Sequence, residues 1–184
     1  MPKASGKGQL ISIDSIRGRD LIPSARRLLH LNGKAKRPGG FSTWDASSIF
    51  YELHGVQSEV DETLSAQTLL LLFAADLRFR LRWQIEPALL EGQTVIAAPY
   101  VETGMAFGLA LGLSRKWITE LFRFAPKPSA SLWVNGAGTW GKTSPMSGFL
   151  EFCNDSLLMA DDFFDKFVAH FVNLERRGKC RRLS

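Results

Sequence analysis

The sequence predicts a three-layer α/β fold, with a mainly parallel sheet flanked by helices. Three observations predict it. Short β-branched runs alternate along the chain with longer helical stretches, the pattern that builds a parallel sheet. Residues 66–107 join a long apolar helix, a turn at Gly92 and the strand-like run Thr94-Val95-Ile96-Ala97-Ala98 in one unit. Finally, 184 residues, 45% hydrophobic and 22% charged, fit one globular domain over 1–184 with a sizeable core.

Taken in order, residues 9–14, Gln-Leu-Ile-Ser-Ile-Asp, read as the first strand. A polar turn over 15–20, with Gly18, leads to a helix expected from Leu21, with Pro23 in its first turn. The run 32–40, NGKAKRPGG, is rich in breakers and reads as a loop. A short helix over 46–53 follows, with Asp45 as its N-cap. The central helix is apolar on every side from Leu69 to Ala75, which suits burial all round. Beyond it Arg78 and Arg82 share one helical face and Arg80 points elsewhere.

After the strand at 94–98, helices are expected over 102–111 and 115–124, separated by Gly112, with Pro126 and Pro128 stopping the second. Residues 130–134 read as a third strand, followed by the Gly-rich loop NGAGTWGKTSPMSG. Phe163, Phe164, Phe167, Phe171 and Leu174 then follow helical spacing and predict a core face. Three clear strands are expected, hence a reduced sheet.

Composition narrows the function classes. No apolar run is long enough to span a bilayer, and MPKASGKGQL is not followed by the apolar core of a secretory signal. Cys153 and Cys180 are too few for a disulfide framework and lack metal-ligand spacing, so a cytoplasmic location and no metal site are expected. The formal charge is +5, and Arg176, Arg177, Lys179, Arg181 and Arg182 crowd the end of the chain. Such a tail suits nucleic acid or an anionic surface. Without interleaved aromatics it is expected to be solvated and flexible instead, so a nucleic-acid or membrane partner is not expected.

Four stretches resemble the thymidylate kinase family of P-loop nucleoside monophosphate kinases. LLFAAD at 71–76 resembles that family's LLFAADR helix, and IEPALLEGQTVIAAPY at 85–100 is similar to the segment ending in its DRY motif. TGMAF at 103–107 resembles the residues after that motif, and Pro38-Gly39-Gly40 its REPGG loop. The resemblance implies a P-loop kinase-like fold, transfer of phosphate from Mg-ATP to dTMP, and dimerisation through the central helix, here 66–90. It also assigns Phe73 to base stacking, and Arg78, Tyr100, Thr103, Gly104 and Phe107 to the surroundings of that pocket.

The chemistry-bearing positions depart from the family. Its phosphate loop is E-G-x-D-G-x-G-K-[ST], in which backbone N–H groups cradle phosphate, the Lys bridges phosphates and the hydroxyl holds Mg²⁺. The matching positions here keep Gly18 but place Asp20 in the loop, Leu21 at the Lys and Ile22 at the Ser/Thr. Ala98 and Pro99 stand where DRY has Asp and Arg, and Leu77 where FAADR has Arg. No arginine occurs between Arg123 and Arg176, where the family's lid supplies them. Phosphoryl transfer depends on placed positive charge, and each such loss costs on the order of a hundredfold in rate.

A second phosphate-loop pattern, GxxxxGK[ST], occurs at Gly136, Gly141, Lys142 and Thr143. Ser144, Pro145 and Gly148 oppose a helix opening at its Lys, so a plain Gly-rich loop is the simpler reading. The expectation is therefore a catalytically degenerate kinase relative with a structural or regulatory role as a homodimer, no catalytic residue and no cofactor. A nucleotide ligand is retained only if the Phe73 pocket still works. The alternatives are a divergent dTMP kinase, using ATP and Mg²⁺ through the 136–143 loop, and a nucleic-acid module using the basic tail.

Overall fold

A computed structural model describes residues 8–31, 40–57, 64–135, 145–156 and 161–183. The Gly136, Gly141, Lys142 and Thr143 pattern, and Pro38 and Gly39, lie outside the described residues. Five strands form one sheet in the order β2-β3-β1-β4-β5, all parallel: β1 Gln9–Ser15, β2 Gly40–Thr43, β3 Thr94–Ala98, β4 Ala130–Val134 and β5 Arg181–Leu183. The sheet is fuller than expected. The second strand begins at Gly40 inside the presumed loop, pairing Gly40 with Val95 and Thr43 with Ala98. The last strand falls in the basic tail, pairing Leu132 with Arg181 and Val134 with Leu183, so that segment is not a free tail. At three and four residues, with little apolar alternation, edge strands of this kind leave a weak sequence signal.

The alternation of side chains along each strand sets two faces. Ile11, Ile13, Ile96, Ala98, Leu132, Val134 and Leu183 turn to one side, where helix α1, Gly18–Leu31, covers them with Leu21 and Ala25. Leu10, Val95, Ala97 and Trp133 turn to the other, against α3 Ala66–Arg80, α5 Val101–Ala110 and α8 Phe163–Arg176. Here Phe163, Phe167 and Phe171 are buried, as their spacing predicts. Helices α2 Ile49–Gln57, α4 Glu86–Leu90, α6 Arg115–Leu121 and α7 Phe149–Ser156 complete the layers. Helix α2 begins at Ile49 rather than at 46, so Asp45 is not the residue at its N-cap, but its carboxylate still accepts from the first-turn Phe50 N and Tyr51 N at 2.9 Å each. Glycines at positive φ, Gly92 (76°) and Gly112 (77°), make the turns before β3 and after α5.

Two expectations about helices are corrected. Helix α1 starts at Gly18 rather than Leu21, which puts Pro23 inside it instead of in its first turn. The central helix is not buried all round: Leu69, Leu70, Phe73 and Ala74 face inward, whereas Leu71 and Ala75 are exposed. It continues through a π-helical turn, Leu81–Ile85, into α4. Its polarity is partly inverted, since Asp76 and Arg80 are buried while Phe79 and Trp83 are exposed. No helix of the described residues is long and apolar enough to cross a membrane.

Candidate functional site

In an open parallel sheet the ligand crevice lies beyond the carboxyl ends of the strands. Here β1 ends at Ser15 and α1 opens at Gly18, leaving only Ile16 and Arg17 between them. The wrapped loop that would cradle a phosphate is thus pulled straight into the helix. The N–H of Gly18 does bind an anion, but the anion is the chain's own. Glu151 of α7 accepts from Gly18 N with both carboxylate oxygens, at 2.9 and 3.1 Å. A carboxylate at a helix N-terminus is stabilised by the unpaired N–H groups and the helix dipole. Burial pushes the Glu151 pKa up, and backbone N–H groups including those of Gly18 and Arg19 pull it back.

Backbone contact fixes this arrangement. A Cβ on Gly18 would lie 2.3 Å from Gly148 Cα, and one on Gly148 would lie 2.4 Å from Gly18 Cα. Only glycine at both positions lets the start of α7 close on the start of α1.

The same helix fills the other end of the crevice. Phe149 stands against Phe73 with ring centroids 4.5 Å apart, against Phe107 at 4.9 Å and against Phe50 at 5.8 Å. Gly104 admits the aromatic cluster, because a Cβ there would come within 2.5 Å of Phe122 and 3.1 Å of Phe73. Phe73, Tyr100, Thr103, Gly104 and Phe107, expected around one pocket, are all buried. Arg78 is not with them. It lies on the outer face of α3, 3.9 Å from Glu86 and over the Phe124 ring, because five residues of helix turn it away from Phe73.

Between the two ends lies a buried polar node that the sequence reading did not single out. Asp14 closes β1 and accepts, through Oδ1, from Tyr100 N at 2.8 Å, Thr103 N at 3.0 Å and Thr103 Oγ1 at 2.8 Å. Its Oδ2 is buried with no partner among the described residues, and burial raises its pKa to about 6 despite those three donors. Arg80 donates from Nη2 to the carbonyl of Pro99 and lies 3.6 Å from Asp76. Burial works against the Arg80 charge, while Asp76 and Asp14 support it. Asp76 in turn accepts from Asp45 N at 3.2 Å and from Ser47 N and Oγ at 3.0 and 2.8 Å, fastening the loop between β2 and α2.

A buried cation therefore stands beside the position where Pro99 replaces the family's arginine, but as a strut between α3 and the loop after β3. The sequence held one signal for it: Arg80 lies off the Arg78–Arg82 face of an apolar helix, four residues after Asp76. For Glu151 and Phe149 there was none, since FLEF reads as ordinary amphipathic helix.

The degenerate phosphate-loop positions behave as their chemistry dictates. Leu21 is buried in the α1 core, Ile22 is half exposed, and Asp20 sits in the first helical turn with its N–H on the Arg17 carbonyl at 3.2 Å. Leu21, Ile22 and Ala98 offer neither a positive charge for a triphosphate nor an oxygen for Mg²⁺, and Asp20 brings a negative charge to the loop. The described residues contain no group of three or more His/Cys/Asp/Glu that could hold a metal. They do not fit Mg-ATP.

No family model matches the chain. Segments of it are similar to curated proteins. It is 39% identical over 62 residues to a probable thymidylate kinase of Pyrococcus abyssi, covering 34% of this chain and 30% of that protein. It is 41% identical over 58 residues to one of Thermococcus gammatolerans, 32% and 28% of the two chains. It is 37% identical over 62 residues to one of Pyrobaculum aerophilum, 34% and 32%. The matches thus span less than a third of each relative. Among solved structures, the thymidylate kinase from Ehrlichia chaffeensis superposes with a TM-score of 0.66 at 14% identity, over 96% of this chain and 90% of that one.

Proposed function

We propose that this chain is a thymidylate kinase-like protein, and a non-catalytic one with a structural or regulatory role. One observation carries the reading: α7 occupies both ends of the crevice, with Phe149 on Phe73 and Glu151 on the Gly18 N–H. A base and a phosphate would each have to displace a side chain already satisfied there. The test is phosphate transfer from ATP to dTMP by the purified chain, expected to stay at the no-enzyme control. A turnover of even ~0.1 per second, slow beside ordinary enzymes, overturns the reading. A thermal-shift series with dTMP, ATP and their Mg²⁺ mixtures is expected to leave the melting temperature unchanged, because only a ligand bound by the native state raises it.

The proposed assembly is a homodimer through the central helix. Four apolar side chains are exposed along it: Leu71 (49%), Phe79 (39%), Trp83 (66%) and Leu90 (85%), with Tyr51 and Val56 of α2 exposed as well. Exposed apolar side chains repeated along one helical run suit a second copy of the same face. Sedimentation is expected to give a dimer that Trp83→Arg converts to monomer. A cytoplasmic setting suits the two free, buried cysteines, Cys153 and Cys180.

A second reading, a divergent dTMP kinase, is favoured by the similarity to probable thymidylate kinases and by the gathering of Phe73, Gly104 and Phe107 in one cluster. It requires α7 to leave and Lys142 to bind ATP with Mg²⁺. On that reading, calorimetry detects ATP binding that Lys142→Ala abolishes; no binding by the unaltered protein removes it.

A further inference from the structure

Away from the crevice, α5, the start of α6 and α8 enclose a cleft of about 250 Å³ lined by Arg115, Lys166, His170, Asn173 and Arg177 over an apolar floor that includes Leu109. Its lining holds no carboxylate. Two of its members have acidic partners outside the lining: Lys166 Nζ lies 2.7 Å from Asp162, and His170 Nε2 lies 2.7 Å from Glu102. Arg115 and Arg177 have no ion-pair partner among the described residues, whereas the exposed Arg78, Arg123 and Arg182 each have one. Arg176 and Arg177 also cover the carbonyl end of α8, where the helix dipole would otherwise repel an anion.

We propose that this cleft binds a small polyanion carrying two or more phosphoryl groups. Arginine forks and an ammonium group on a concave surface are the donor set for such groups, and Asn173 adds a neutral donor. The size supports a small ligand: organic ligands fill roughly 300–1,000 Å³, so this cleft suits a short phosphate chain rather than a whole nucleoside. No Phe, Tyr or Trp lines it, and its one ring, the His170 imidazole, is tied to Glu102, so it offers little platform for stacking bases. The site is separate from the nucleotide crevice and stands whether or not the chain proves to be a kinase.

The experiment is calorimetry of the full chain with sodium tripolyphosphate at low ionic strength. The unaltered protein is expected to bind. The double variant Arg115→Gln/Arg177→Gln is expected to bind about tenfold more weakly or less, two charge-assisted contacts being lost. The pair Arg78→Gln/Arg123→Gln removes the same charge elsewhere on the surface and is expected to bind as before. Both pairs are exposed, and circular dichroism checks that each variant is folded. Three outcomes overturn the proposal. The first is no binding by the unaltered protein at millimolar tripolyphosphate. The second is equal weakening in both double variants, which would mean general charge attraction. The third is a short single-stranded oligonucleotide that binds more tightly than tripolyphosphate and loses affinity through Arg115 and Arg177, which would make the cleft a nucleic-acid contact.

Discussion

The base end and the phosphate end of the crevice are closed by one helix in two chemically different ways. At the base end α7 inserts a ring among Phe50, Phe73 and Phe107, and stabilisation follows from apolar area, with little demand on direction. At the phosphate end it presents Glu151 to the backbone N–H groups of Gly18 and Arg19, and stabilisation depends on direction and charge state. On the proposed non-catalytic reading, the comparison teaches how a ligand-shaped space can be filled from within: the apolar half is packed as core, while the polar half takes an internal anion.

If the base end is core, Phe149→Ala should be the most damaging change, costing about 3–5 kcal/mol in urea unfolding through lost burial and a cavity. A cost below about 1 kcal/mol would mean the ring is a removable stopper, and the contrast between the ends would break. Asp14, between the ends, should give the largest pH effect. Its folded pKa of about 6 lies above its ordinary 3.8, so its contribution to stability is fully present below about pH 4 and is lost as pH rises through about 6. Asp14→Asn should remove up to about 3 kcal/mol of that pH dependence, two units at 1.36 each, read as the difference between the two urea midpoints from pH 4 to 7. Parallel midpoints would show that the carboxyl is not buried as described.

Smaller still, Glu151→Ala should cost about 1–2 kcal/mol by leaving the α1 end uncapped, with Glu151→Gln recovering much of it. An unchanged midpoint would leave the phosphate end without its substitute anion. The least effect is expected from Arg78→Ala, about 0.5 kcal/mol or less, since its ion pair with Glu86 is long and exposed.

What the sequence made legible follows the same division. Periodicity located β1, β3, β4 and the α8 face, because each buries a continuous apolar pattern. It missed β2 and β5, whose place at the sheet edges leaves them little to bury. The resemblance gathered Phe73, Tyr100, Thr103, Gly104 and Phe107 in one buried region, since packing positions are carried by shape. It could not show what now fills that region. Glu151 and Gly18 are far apart in the chain, and a contact between a carboxylate and a backbone N–H leaves no local pattern. Arg78 was misplaced for a simpler reason: the family's arginine position is Leu77, and the neighbouring residue on a helix faces another way.

The paired glycines at the α1–α7 crossing allow closure to be controlled by a single methyl group. Alanine at Gly148 would put its Cβ 2.4 Å from Gly18 Cα and 2.7 Å from Glu151 Oε2. Backbone cannot yield as a side-chain tip can, so the added carbon would act as a wedge, forcing the two helix starts apart while leaving every ring and carboxylate in the sequence. A chain wedged in this way would report whether an empty crevice still recognises a nucleotide, a question that deleting Phe149 or Glu151 confounds with the loss of the groups themselves.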